Sequence, residues 1–406
     1  MSFSQFALDP RLQKGVRELE YSQPTPIQTA AIPVALKGQD ILGSAETGTG
    51  KTAAYLLPLM HTLLTKPTNR RLPRALVLVP TRELALQVAD HATQLGVHTD
   101  LRIAAIFGGV SLVNQERALK RGADIVIATP GRLIDHIGRR NIVFDGLQVL
   151  VLDEADRMLD VGFLPDLRRI ARLLPSDRQT LLFSATLKPI LELAGEVTRQ
   201  PVRIEVEKTV TPTMIAQTLF PVTEEQKFRA LERLLRQDGM DSVLVFSRTK
   251  HRADRIVKNL QRDGVSAAVI HSNRSQSQRI AALEAFRSGQ VRILVATDIA
   301  ARGIDVEGVS HVVNFDVPSQ AEDYIHRIGR TGRAHAAGTA YTLVTPTDEA
   351  MVRKIEMILR QKIQRRRLDG IDAGVPAGGM PDAEAIRRYL ESKRSSSPQP
   401  VPARAR

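Results

Sequence analysis

The pattern of apolar and polar positions runs through the same rhythm twice. Short runs that are apolar almost throughout fall at residues 75–79, 103–107, 125–128, 147–152 and 180–183. A second set falls at 243–246, 267–270, 293–296, 312–315 and 340–344. Amphipathic helical stretches lie between them, with apolar residues returning every three or four positions. Runs apolar at successive positions read as strands buried on both faces. Such strands alternating with helices predict an α/β fold, with parallel sheets flanked by helices. Two such domains in tandem are expected.

The stretch 205–213 is polar and punctuated by proline, which predicts a linker. Beyond Gln364 the composition shifts to Arg365-Arg366-Arg367, a Gly/Pro/Ala-rich segment, a short helical pattern at 383–393 and a basic end. The expected division is therefore a first domain at 1–207, a second at 213–363, and a basic, mostly disordered tail at 364–406. That tail can add electrostatic grip or serve only solubility.

Chemistry enters at residues 41–52. An apolar run at Ile41-Leu42 ends in Gly43-Ser44 and leads into Ala45-Glu46-Thr47-Gly48-Thr49-Gly50-Lys51-Thr52. A helical pattern follows, expected to stop at Pro58. Strand, glycine-rich turn and helix together are the setting of a phosphate-binding loop. Gly48 and Gly50 let backbone N–H groups approach phosphates closely. Lys51 is of the type to meet the β- and γ-phosphates, and the Thr52 hydroxyl to ligate Mg²⁺. Asp153 and Glu154 end the apolar run at 147–152, the edge where open α/β sheets bind ligands. Asp153 suits Mg²⁺, and Glu154 suits orienting or deprotonating an attacking water. The chain is thus expected to bind ATP and Mg²⁺.

The 406 residues suit two domains, and 43% hydrophobic content allows sizeable cores. Cysteine is absent, which excludes disulfides and thiolate metal sites. Residues 1–5 do not read as a signal peptide, and no apolar run reaches membrane-spanning length, so a cytoplasmic location is expected. The formal net charge of +13 points to a polyanion partner. Aromatic content of 4% and no tryptophan argue against extensive base stacking, so a nucleic acid would be held by its backbone.

Asp153-Glu154-Ala155-Asp156 matches the signature of the DEAD-box ATP-dependent RNA helicases letter for letter. The resemblance spans residues 3–359 and implies two RecA-like domains. Pro24-Thr25-Pro26-Ile27-Gln28 resembles the family's adenine-reading element, with Gln28 on the base, Thr25 and Tyr21 beside it, and Phe3 at the stacking position. Glu20 stands where the family often has glycine. Pro80-Thr81-Arg82, Gly108-Gly109 and Thr129-Pro130-Gly131-Arg132 are similar to the RNA-contacting elements of the first domain. Ser184-Ala185-Thr186, with Asp156, resembles the element coupling ATP state to RNA grip. In the second half, Arg248, Gln276, Arg279, Thr297 and Asp298 fall in RNA-side elements, while Gly303 and Asp305 fall near the nucleotide. Tyr324-Ile325-His326-Arg327-Ile328-Gly329-Arg330-Thr331-Gly332-Arg333 is similar to the sixth motif. There the resemblance makes Arg330 and Arg333 the fingers on the γ-phosphate and His326 a bridge.

The implied activity is RNA-dependent ATP hydrolysis that separates short RNA duplexes or remodels RNA–protein complexes without reading sequence. The alternatives are a non-unwinding ATP-gated RNA clamp or assembly factor, a DNA translocase of the same superfamily and an unrelated phosphate-loop kinase. Ribosomal or RNA-decay assemblies are compatible partners. The compact core and short basic tail resemble the bacterial RhlE-like branch.

Overall fold

The computed structural model describes residues 2–45, 48–66, 72–206, 215–298, 306, 309–332 and 338–371. The chain divides into two compact units. The first holds a seven-stranded sheet of β1 (Ile41–Ser44), β2 (Ala75–Leu78), β3 (Ile103–Ile106), β4 (Ile125–Ala128), β5 (Val149–Leu152), β6 (Gln179–Ser184) and β7 (Val202–Glu205). Their order is β3-β4-β2-β5-β6-β1-β7, and every described pairing is parallel. Strands β2, β4 and β5 are buried at every position, so helices must cover both faces.

The second unit repeats the design with β8 (Ile215–Pro221), β9 (Val243–Phe246), β10 (Ala267–Ile270), β11 (Ile293–Ala296), β12 (His311–Asn314), β13 (Gly338–Val344) and β14 (Gln364–Arg365). Their order is β10-β11-β9-β12-β13-β8-β14, again parallel throughout. All ten apolar runs of the sequence lie on these strands.

Register places the functional loops. In the first sheet Leu78 stands opposite both Ala128 and Leu152, Ile106 opposite Ala128, and Ser44 opposite Ser184. The C-terminal strand ends are therefore level and form one rim.

Several boundaries differ from the expectation. Pro58 does not stop the helix that begins at Lys51, which continues to Thr65. An interior proline costs about 3 kcal/mol. Past it, however, Leu59, Met60 and Leu63 are each at most 3% exposed, and each fully buried side chain of this size contributes roughly 1.5–3 kcal/mol. Burial outweighs the lost hydrogen bond. Glu205 belongs to β7 rather than to a linker, and the Val206 amide donates to the Ser44 carbonyl at 3.1 Å. The second unit does not end at 363, because β14 pairs with β8 and both Leu368 and Ile371 pack into its core. Residues 207–214 and 372–406 lie outside the described residues, so the rest of the expected linker and tail do too.

Glu20 has φ +56°, the left-handed region that glycine enters without steric cost. This accounts physically for the glycine the resemblance leads one to expect there.

Candidate functional site

In the first unit the rim separates into two halves. At β3, β4 and β2 it carries Gly108-Gly109, Thr129-Pro130-Gly131-Arg132 and Pro80-Thr81-Arg82. At β5, β6 and β1 it carries the acids, Ser184 and the phosphate loop. Residues scattered from 45 to 186 thus share one edge, as two adjoining groups.

On the nucleotide side, Gly50 has φ +88° and caps the helix Lys51–Thr65. A Cβ there would lie 2.4 Å from Gln28 Nε2, so a larger residue would displace the glutamine and strain the left-handed turn. Gln28 uses both ends of its amide. Its Oε1 accepts from the Thr25 N–H at 2.9 Å, completing a capping box, and its Nε2 donates to the Gly50 carbonyl at 3.1 Å. The glutamine therefore links the start of helix Pro26–Leu36 to the phosphate loop. Lys51 is buried, and its Nζ donates to the Ala45 carbonyl at 2.7 Å. Gly48 has φ +78°. Glu46 and Thr47 lie outside the described residues.

Asp153 is 3% exposed. Its Oδ1 accepts from the Glu154 amide at 2.9 Å, and its Oδ2 accepts from the Tyr55 hydroxyl at 3.0 Å. Burial raises its carboxyl to about 6; the Lys51 charge opposes that rise and the nearby Glu154 adds to it. A desolvated carboxylate of this kind is stabilised in its charged form by a cation placed against it. The Tyr55 phenol is fully buried and pushed well above its ordinary range, first by burial and then by Asp153. Thr52 is the phenol's other hydrogen-bond neighbour. Tyr55 therefore touches both residues expected to hold the metal, and the sequence reading missed it.

Glu154 has φ +52°, a left-handed conformation rare for a residue with a side chain. Its carboxylate pairs with Arg157, and both side chains are less than a tenth exposed. Arg157 was also missed, although a spacing of three on a helical turn makes such a pair possible.

Asp156 ties the end of β5 to the end of β6. Its Oδ2 accepts from both the Thr186 N–H and the Thr186 hydroxyl, each at 2.9 Å. Its own amide donates to Ser184 Oγ at 3.2 Å, and the Ser184 hydroxyl donates to the Thr186 carbonyl at 2.8 Å. The expected coupling residues therefore form one closed hydrogen-bond ring.

Phe3, expected at the stacking position, is 4% exposed, with its ring against Phe6 and Tyr21 at centroid distances of 5.9 and 5.8 Å. Tyr21 meets His91 Nε2 through its hydroxyl at 2.7 Å.

On the other half of the rim, Thr81 caps helix Arg82–Leu95 by accepting from the Leu84 amide at 3.2 Å. Arg82 lies across Gly108 and Gly109. A Cβ on Gly109, whose φ is +79°, would overlap the guanidinium, so the glycine pair sets the arginine's path. Arg132 donates to the Val110 carbonyl at 3.1 Å and to Gln115 Oε1 at 3.4 Å. Gln115 in turn meets the buried His136 at 3.2 Å. Thr129 precedes helix Pro130–Gly138, whose first position is the proline.

The second unit gathers its motif residues at the ends of β10, β11, β9 and β12, four neighbours in the sheet. Arg327 anchors them. It is 2% exposed and grips both oxygens of Asp298 at 2.6 and 2.7 Å. It also donates to Asn314 Oδ1 and the Asp316 carbonyl, and lies 4.9 Å above the Phe246 ring. Asp298, expected near RNA, is thus held by an arginine the sequence reading passed over in favour of its neighbours. Asp316 is fully buried. Burial works to raise its carboxyl, but Lys227, the Arg248 amide and Arg252 outweigh that effect and hold it below the usual range. The Arg248 side chain is exposed and reaches Asp348 at 3.2 Å. Gln276 begins helix Gln276–Arg287 and is buried; among the described residues its amide atoms have no hydrogen-bond partner. Arg279 lies one turn further on, half-buried. His326 is half-buried and Arg330 is 5% exposed. Thr297 is half-buried at the end of β11. Gly303, Asp305 and Arg333 lie outside the described residues.

Arg327→Ala is expected to destabilise the second unit by about 3–5 kcal/mol, because it leaves a largely desolvated carboxylate unpaired. Denaturant unfolding checks this, and a loss below about 1 kcal/mol would mean that the pair contributes little.

A parallel-sheet unit with a phosphate loop and two acids on one rim, followed along the chain by a second such unit bearing an arginine-rich motif, defines a nucleoside-triphosphate hydrolase of the helicase class. The model of the DEAD/DEAH box helicase family matches residues 25–193, and that of the helicase conserved C-terminal domain matches 226–335. The chain is 42% identical to the ATP-dependent RNA helicase CshA of Listeria monocytogenes over 364 residues, covering 89% of this chain and 69% of that one. It is 40% identical to the DEAD-box ATP-dependent RNA helicase CshA of Bacillus subtilis, covering 96% and 79%. Among solved structures, S. cerevisiae Dbp5 bound to RNA and ADP BeF3 superposes with a TM-score of 0.81 at 30% identity, covering 91% and 96% of the two chains. The chain belongs to the DEAD-box RNA helicase family, and its two sheets are the family's tandem RecA-like domains. Both relatives carry the CshA name, so the RhlE-like placement draws no support from them. No helix among the described residues is long and apolar enough to cross a membrane.

Proposed function

We propose that this protein is an ATP-dependent RNA helicase that hydrolyses ATP when RNA is bound and separates short duplexes or remodels RNA–protein complexes. The observation that carries the reading is the two-part rim. Groups suited to phosphates of a nucleotide stand at β5, β6 and β1, and groups suited to a nucleic-acid backbone stand at β2, β3 and β4. Backbone-directed grip explains recognition without sequence, and contacts to 2′-hydroxyls give a preference for RNA.

In this reading Gln28, with Thr25 and Tyr21 beside it, reads the adenine, while Lys51 and the loop amides hold the triphosphate. Asp153 and Thr52 fit Mg²⁺: a buried carboxylate and a hydroxyl are hard oxygen donors, and Mg²⁺ sites often take only one or two carboxylates plus substrate phosphates. Among the described residues no group of three or more His, Cys, Asp or Glu forms a larger cage. The ion, when bound, neutralises charge on the phosphates. Glu154 orients the attacking water, with Arg157 fixing its carboxylate. Arg330 and Arg333 supply positive charge to the transferred phosphoryl group, with His326 beside them. The ring through Asp156, Ser184 and Thr186 conveys the nucleotide state towards the RNA-facing loops. Arg82, Arg132, Arg248, Gln276, Arg279 and Thr297 face the RNA. A cytoplasmic location and ribosomal or RNA-decay assemblies suit this activity.

Unwinding of a short RNA duplex, followed by gel shift, tests the proposal. ATP-dependent strand separation is expected. Retention of a single strand in the presence of ATP, without separation, would favour the clamp instead.

Tyr55→Phe keeps the ring and removes the hydroxyl that bonds Asp153. The Mg²⁺ concentration for half-maximal ATP binding is expected to rise roughly five-fold, the equivalent of one lost hydrogen bond of about 1 kcal/mol. Titration of a fluorescent ATP analogue measures it, and an unchanged requirement would remove Tyr55 from any positioning role.

A further inference from the structure

The second unit carries an open cleft of about 830 Å³ that no part of the mechanism uses. It runs along β8 and is bordered by Thr339 and Tyr341 of β13, which pair in register with Ala216 and Thr218. The lining runs on from there to Phe220 and to the segment after β14. The motif residues follow Phe246, Ala296 and Asn314, at the C-terminal ends. The cleft therefore lies at the β13-β8-β14 side of the sheet, and the motif residues at β10, β11, β9 and β12.

Its charge is one-sided. Arg233 and Arg236 enter from the helix Lys227–Leu235 and the turn after it, and Arg366 and Arg367 from the segment after β14. Asp369 is the one carboxylate in the lining. All four arginines are exposed, and none forms an ion pair among the described residues. Their neighbour shows the contrast: Arg365 is held by both oxygens of Glu349 at 2.6 and 2.8 Å. The rest of the border mixes Gln217, Thr218, Gln237 and Gln364, which offer hydrogen bonds, with Ala216, Phe220, Tyr341 and Leu368. A concave polar surface with four unpaired guanidinium forks is complementary to phosphate oxygens.

We propose that this cleft is a second RNA-binding site, which holds backbone phosphates of the same RNA away from the motif rim. RNA is chosen over a free polyphosphate because the cleft is open to solvent, which a strand that enters and leaves requires, and because the proposed substrate already supplies that chemistry. The inference thus rests on the reading of the protein as an RNA helicase. Its consequence is that RNA stays tethered through cycles in which the motif rim lets go.

The test replaces Arg233, Arg236, Arg366 and Arg367 together by glutamine in the full chain. All four are exposed, so folding is expected to persist, and thermal unfolding verifies this. Fluorescence anisotropy of a labelled RNA is followed without nucleotide at salt from about 50 to about 200 mM. Four lost phosphate contacts lower the slope of log affinity against log salt by about 3. ATP turnover at saturating RNA is expected to be unchanged, while the RNA concentration needed for half-stimulation rises. An unaltered salt slope in the variant overturns the proposal. Tripolyphosphate and polyglutamate are titrated in parallel. Binding of either that requires the four arginines, with RNA affinity intact, also overturns it and assigns the cleft to free phosphates or to an acidic peptide. Absence of RNA-stimulated turnover in the unmodified protein would instead strike the helicase reading, so the two failures are distinct.

Discussion

Glu154→Gln is expected to retain ATP and RNA binding and to lose ATP turnover by roughly 10²–10⁴-fold, the usual contribution of a positioned acid or base. The residue occupies a strained left-handed turn at the end of β5, a conformation kept only where the surroundings enforce it. Arg157, itself buried, fixes the carboxylate. Glutamine keeps the shape and one acceptor oxygen, so the rim stays assembled. It cannot take a proton from water, and its amide pairs poorly with the guanidinium. Single-turnover hydrolysis, measured beside equilibrium binding of a fluorescent ATP analogue, separates the two effects. Hydrolysis at the parent rate would move the water-positioning role elsewhere.

Arg330→Ala is the second large effect, a loss of roughly 10³-fold or more in turnover by analogy with arginine fingers. Arg330 is followed by Thr331, which is fully buried and donates through its hydroxyl to the Val309 and Ser310 carbonyls. Three residues before it, Arg327 is fixed on Asp298. The stretch is therefore held on both sides of Arg330. Arg330→Lys should rescue little, since an ammonium lacks the planar fork that grips phosphoryl oxygens. Steady-state turnover at saturating RNA checks both variants. A loss of only a few-fold would remove Arg330 from the chemistry.

The sequence made legible what local chemistry dictates. The phosphate loop needs glycines and a lysine between a strand and a helix, and that pattern sits within a dozen residues. The ten apolar runs are strands because parallel strands bury both faces. The contacts that orient these groups were not readable. Tyr55 reaches Asp153 across a sequence separation of 98 residues, and Arg327 reaches Asp298 across 29. Both depend on which strands become neighbours, and neither β3-β4-β2-β5-β6-β1-β7 nor β10-β11-β9-β12-β13-β8-β14 can be read from periodicity. Strand β8 escaped because its first half exposes Ala216 and half-exposes Gln217 before the run Leu219-Phe220. The end of the second unit was misjudged for a related reason. Arg365-Arg366-Arg367 reads as a solvated tail, yet Leu368 and Ile371 beyond it are buried.

ATP hydrolysis by this protein is expected to depend on RNA. ATP turnover by the intact chain, compared with RNA, with DNA of the same sequence and with neither, tests it directly. Stimulation of about ten-fold or more by RNA alone is expected, because the 2′-hydroxyl is what lets a protein tell RNA from DNA. Equal rates in all three conditions, or equal stimulation by DNA, would contradict the account.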